Sequence, residues 1–305
     1  MLSLTAVFLA LAAGFVLGAR LSSGPMVSVL RNDKDGLQKT IADVTGERDD
    51  LRQRLAAAND FDTTMSERMV RGALAGTSVL IIRAPDAEDA DVDALARLIG
   101  QAGGSPAGTI ALTGEFVSAN SAEKLRSVVN SPIVPAGRQL DTGLVDEAAQ
   151  AGDLLGLSLL INRDPAIAPV DDGAREAVLG ALRDTGFLSY DRPPAAADTA
   201  VVITGGALAE DAGHQGATVA RFAGGLAPHG SGTVLAGRDG SADGVSAVAV
   251  TRADAALSDL VSTVDDVDAE SGRITSVLAL QAMDGGAPAG RYGVGAGAAA
   301  VTVGQ

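Results

Sequence analysis

The strongest constraint on this chain lies at its start. Residues 1–19 read MLSLTAVFLALAAGFVLGA and carry no charge before Arg20. A helix of that length spans about 28 Å, close to the hydrocarbon thickness of a bilayer. A cleaved signal peptide would place basic residues ahead of a shorter apolar core and end on a small-x-small site. Here no Lys or Arg precedes the run, and Leu17 occupies the third position before a cut after Ala19. An uncleaved membrane anchor over residues 1–19 is therefore expected, ahead of a cleaved signal or a buried helix. Arg20, Arg31, Lys34 and Lys39 follow it, and a literal positive-inside count would keep that side cytoplasmic. Gly14 and Gly18 form a GxxxG pair, which lets helices approach closely in a bilayer but also arises by chance in so Gly/Ala-rich a segment.

A second pattern follows at once. Leu30, Leu37, Val44, Leu51 and Ala58 recur every seven residues, with Val27, Lys34, Ile41, Arg48 and Leu55 at the complementary positions. With the first set at d and the second at a, this is a short coiled-coil seam, expected over residues 27–59. Basic Lys34 and Arg48 at a positions fix register at a cost in stability. A seam directly after an anchor favours a homo-oligomeric stalk over a helix folded back on the body.

Residues 60–284 change grammar again. TSVLIIRA (Thr77 to Ala84), Thr109 to Leu112, AVVIT (Ala200 to Thr204), TVLAG (Thr233 to Gly237) and VSAVAV (Val245 to Val250) read as short buried strands. Between them lie helical patterns at Asp89 to Ala102, from Asn120 with Glu123 at its capping-box position, within Leu144 to Ile161, after Asp171–Asp172, and at Gly216 to Leu226 and Asp254 to Leu260. Arg273 to Ala282 reads as strand or mixed. Alternating strands and helices imply βαβ units. The expected fold class is α/β: a transmembrane helix, a short coiled-coil stalk and a mostly parallel-sheet α/β domain covered on both faces. Residues 285–305 are Gly/Ala-rich and read as a weakly ordered tail.

Composition narrows the partners. With 23 Lys+Arg against 38 Asp+Glu, the net charge is −15, so a nucleic-acid partner is not expected. The absence of cysteine excludes disulfides, thiolate metal sites and cysteine nucleophiles. Six Phe, two Tyr and no Trp do not supply the aromatic girdles of a membrane β-barrel.

Motifs for chemistry are sparse. The loop TGGALAEDAG (Thr204 to Gly213) sits between a strand and a helix, where a phosphate-binding turn would lie, but it matches neither GxGxxG nor the Walker pattern. His214 and His229 lie in separate loops and read as surface histidines unless folding brings them to a shared metal. Met65 and Met69 share a helix face at i, i+4, which suits Cu(I) thioether ligation but more often means packing. The acidic runs PDAEDADVD (Pro85 to Asp93) and DDVDAE (Asp265 to Glu270) fit no EF-hand loop and read as a solvated loop and an acidic helix start. No GxSxG elbow is present. No residue is assigned to catalysis or to a cofactor, the metal ligands stay open, and an enzyme ranks last among the readings.

Several stretches taken together point to a family. SLTAVFLALAAGFVLGA, GERDDLRQRLAAANDFD, GEFVSANSAEKLRSVVNS, VDDGAREAVLGALRDTGF and STVDDVDAESGRITSVLAL resemble the mycobacterial copper transport protein B family (MctB), over essentially residues 1 to 300. That resemblance implies a cell-envelope protein of mycolate-bearing actinobacteria, described as a pore-forming outer-membrane protein that keeps intracellular copper low by efflux. Copper would be the transported ion, and the α/β domain would stand outside the cytoplasm. The alternative is an anchored, oligomeric scaffold of the envelope without intrinsic transport.

Overall fold

The structure is a computed structural model that describes residues 7–15 and 25–304, with side chains described over 7–15 and from residue 36 onward. It divides into two compact units, residues 1–60 and 61–305. In the first unit residues 7–15 form a helix, α1, with exposed side chains. Among the described residues no helix is long and apolar enough to cross a membrane. The anchor expected at 1–19 falls only partly among them: residues 1–6 and 16–19 lie outside. Helix α2 then runs unbroken over Pro25–Val70. It absorbs both Gly36 and Gly46, each a loss of roughly 1 kcal/mol relative to alanine. The helix covers the expected seam, whose members from Leu37 to Leu55 are exposed side chains; those before residue 36 lie outside the described side chains.

The second unit is built on one seven-stranded sheet, in the order β3-β2-β1-β4-β5-β6-β7. The strands are β1 Ser78–Arg83, β2 Ser105–Leu112, β3 Leu188–Ser189, β4 Thr199–Ile203, β5 Gly232–Ala236, β6 Ser262–Val264 and β7 Arg291–Tyr292. All neighbours pair in parallel except β2 with β3. Alternation along the central strands splits the core in two. Leu80, Ile82, Ile110, Val202 and Leu235 face one layer. That layer contains α4 (Gly114–Val117), α5 (Ala122–Val129), α6 (Glu147–Leu159), α7 (Asp172–Asp184), α8 (Gln215–Leu226) and α9 (Ala247–Ala253), with α10 (Ala255–Leu260) beside α8 and α9. Val79, Ile81, Val201, Val234 and Val264 face the other, covered by the end of α2, α3 (Asp89–Gln101) and α11 (Glu270–Asp284). Both faces are covered, which is why every residue of β4 and β5 is buried rather than every second one.

Four sequence expectations are corrected. Val245 to Val250 is not a strand: Ala247–Ala253 is helix α9, burying Ala247, Val248, Thr251 and Arg252. That i, i+1, i+4, i+5 set is one face of a helix, and β5 already has β4 and β6 as its neighbours. Arg273 to Ala282 lies within helix α11, whose buried Ile274, Val277 and Leu280 follow helical spacing. The helix expected from Asn120 starts later. A 3₁₀ turn spans Ala119–Ser121, α5 follows, and no side chain caps it. Residues 285–304 are not a loose tail, because β7 extends the sheet beside β6 and Thr302 hydrogen-bonds Thr275 at 2.9 Å.

That last segment is held by a buried ion pair. Arg252 donates to Asp265 at 2.6 Å, with side chains 3% and 1% exposed. The same guanidinium reaches Thr263 Oγ1 and the carbonyls of Tyr292 and Ala296. Asp265 in turn accepts from the backbone N–H groups of Val294 and Gly295, at 2.8 and 3.0 Å. A Cβ at Gly293, where φ is +124°, would fall on that carboxylate. The acidic run 265–270 is thus interior: Asp265, Asp266 and Glu270 are all buried.

Candidate functional site

Chain order reverses between β1 and β4, and sheets of this kind bind ligands in the crevice outside the strand ends at such a point. Here the protein fills it. Thr204, at the end of β4, donates its hydroxyl to both carboxylate oxygens of Asp86, at 3.0 and 3.1 Å. Gly205 lies so close that a Cβ would come within 2.7 Å of the Asp86 carbonyl. The Gly-rich loop is where a phosphate cradle would sit, yet a carboxylate of its own chain occupies the place, and it would repel a phosphate. Beyond it, Asp91 is buried between Arg273 (3.0 Å) and Arg238 (3.3 Å), and Glu270 between Arg273 (3.2 Å) and Arg97 (3.6 Å). Run 85–93 does open a helix, with Asp89 and Asp91 in the first turn of α3, while the burial of Asp91 corrects the solvated part of that reading. Beside this network, burial and then the neighbouring Asp265 push the Asp266 carboxyl up to about 6.

A second place sits on the opposite layer. Helices α6 and α8 cross on glycine: a Cβ at Gly152 would fall on the Phe222 carbonyl, and one at Gly225 on that of Ala149. This contact brings His229, in the turn after α8, against α6. His229 Nε2 and Asp153 Oδ1 are 2.6 Å apart, and the other oxygen of Asp153 accepts from the Asp141 N–H at 2.8 Å. The His229 ring lines a cavity of about 280 Å³ with Arg138, Gln139 and Asn162. No sequence signal pointed to this pair, whose members are 76 residues apart. The pairing orients the imidazole, but the cavity lining includes no serine, threonine or cysteine hydroxyl or thiol for it to activate.

The remaining candidates separate. His214 is exposed before α8 and lines a different cavity, with Asp146, Glu147 and Arg221. The two histidines do not share a site. Met69 is exposed and Met65 half-buried on α2, while Met283 is buried and accepts from the Ser262 hydroxyl at 3.0 Å. Met1 and Met26 lie outside the described side chains. Among the described residues no three His, Asp or Glu side chains converge as a metal site.

The third feature is the surface of α2. Leu37, Ile41, Val44, Leu51 and Leu55 are 58–69% exposed along one stripe. Six residues, Val44, Glu47, Arg48, Leu51, Arg52 and Leu55, form an apolar groove of about 350 Å³ on it.

A closed switch-point crevice, a doubly covered sheet and an uncovered helical stripe define the class: an α/β body preceded by a long surface helix. Comparison with known proteins makes this specific. The family model described as "Copper transport outer membrane protein, MctB" matches residues 1–303, and the chain belongs to that family. It is 56% identical over 306 residues to proteins named "Copper transporter MctB" from Mycobacterium tuberculosis and Mycobacterium bovis, covering 99% of this chain and 97% of theirs. A protein of the same name from Mycobacterium leprae is 54% identical over 308 residues.

Proposed function

We propose that this chain serves copper homeostasis at the cell envelope, anchored by residues 1–19 and assembled through α2, with copper leaving the cell by way of the assembly. The observation that carries this reading is the similarity, end to end, to proteins named copper transporters. Copper is cargo here, not a resident cofactor. The thiol-free composition and scattered methionines suit passage of the ion better than storage, since tight Cu(I) sites use clustered soft ligands. The body is read as non-enzymatic, and any pore belongs to several chains together, because lipid-facing backbone needs helices or a closed barrel. A deletion strain grown in copper should accumulate more of the metal than its parent, and complementation should reverse this. Equal copper content in the two strains refutes the reading.

A second reading is favoured by one observation, the exposed stripe on α2: the chain is an envelope scaffold, and copper sensitivity is secondary. Conductance of the purified full-length protein in planar bilayers separates the two. Stepwise, copper-permeable channels support transport, and a silent bilayer supports the scaffold.

A further inference from the structure

We propose that α2 joins a second copy of this chain as a two-stranded, parallel, in-register coiled coil, with Glu47 of each copy paired to Arg52 of the other. This deepens the self-association proposed above and rests on it.

The shape of the groove gives the first argument. In a parallel coiled coil an a side chain enters a hole of d, g, a and d residues, and a d side chain enters a hole of a, d, e and a. With Leu37, Val44 and Leu51 at d, the first hole here is Val44, Glu47, Arg48 and Leu51. The second is Arg48, Leu51, Arg52 and Leu55. Their union is the six residues that line the groove. The surface is already cut to receive a and d side chains of a second helix.

Charge gives the second argument. Parallel helices pair a g residue with the e residue five positions on in the partner. Glu47 is at g and Arg52 at e, five apart. Arg54, the other basic flank, is already held by Asp50 at 2.9 Å, whereas Arg52 only grazes Asp49 at 4.0 Å. Glu47 also stands beside Arg48 of the facing helix and offsets that buried a-position charge. An antiparallel pairing that sets Arg48 against Leu51 would bring Leu37 and Leu30 alongside positions 62 and 69. The partner's helix is already engaged in that stretch, with Ser66 and Val70 buried.

Residue choice gives the number of strands. Ile41 at a with Leu37 and Leu51 at d favours two strands, Leu55 at a and Val44 at d do not, and Arg48 decides, because a third strand would place three Arg48 side chains on one axis.

Because the chain has no cysteine, the test is direct. Full-length Leu51→Cys and Gln53→Cys variants in detergent are oxidised with diamide, and the detergent-corrected mass of the parent protein is measured by light scattering. The expected result is a two-chain mass, a covalent dimer through Cys at 51, and none through the outward-facing 53. Glu47→Arg and Arg52→Glu should each lower the crosslinking yield at 51 about fivefold, and the combined variant should restore it. Three results overturn the proposal. A mixture of Arg48→Cys and Leu51→Cys chains that crosslinks only between the two variants means antiparallel helices. A mass of three or more chains removes the two-stranded state. A single-chain mass withdraws self-association itself, and the copper-accumulation readout stands apart from all three.

Discussion

The stretch of α2 from residue 36 to residue 60 and the body from residue 61 onward meet water in opposite ways. In the body, apolar side chains on both faces of the sheet are covered by helices of the same chain. On this stretch of α2, Leu55 is 69% exposed although its apolar neighbours recur with equal regularity. The difference lies in where the second layer comes from. A sheet in a βαβ chain brings its cover through its own connections, whereas a lone helix has no second layer unless another element supplies one. The body should therefore unfold at a temperature independent of protein concentration, while the stalk depends on mass action.

Four substitutions test this contrast, from the largest expected effect to the smallest. Arg252→Ala leaves Asp265 charged and unpaired in the interior, a loss of about 3–5 kcal/mol. Circular dichroism should show the body melting roughly 10 °C lower, with stalk crosslinking at 51 unchanged. Gly293→Ala forces a side chain into a left-handed position against the Asp265 carboxylate and should cost about 2 kcal/mol, read as a lower urea midpoint for the same transition. Asp266→Asn should stabilise. The folded pKa of about 6 lies above the unfolded value of 3.8, so the native state holds its proton more tightly and stability falls as pH rises through that window. The gain from asparagine is therefore largest above pH 6 and gone near pH 4, which melting curves across that range would show. Leu51→Asp should abolish crosslinking between stalks yet move the melting temperature of the body by less than about 1 °C. A larger shift there would mean that the two regions are not energetically separate.

Much of the architecture was legible because it rests on local pattern. The β-branched runs at 78–83 and 199–203 are strands, and Asp171 caps α7 by accepting from the Ala174 N–H at 3.0 Å. The helical state of α2 was legible too, since its apolar positions recur at helical spacing and needed no tertiary information. The errors share one cause. At Val245 to Val250 the run of valine and alanine fits either period, and only the crowding of β5 between its neighbours decides for helix. The run 265–270 looks solvated by composition, but its burial depends on Arg252 and Arg273, which arrive from other elements. The pairing of Asp153 with His229 depends on two helices crossing at glycines, and no spacing in the sequence records it.

The strap formed by residues 290–303 has a consequence for the timing of synthesis. Arg252 and Asp265 leave the ribosome before the strap does, yet four of their hydrogen bonds go to backbone groups at positions 292, 294, 295 and 296. A nascent chain still short of those positions holds a charged pair without its cage and a sheet without its outermost strand. Final closure of the body must therefore wait until residues 290–303 have left the ribosome.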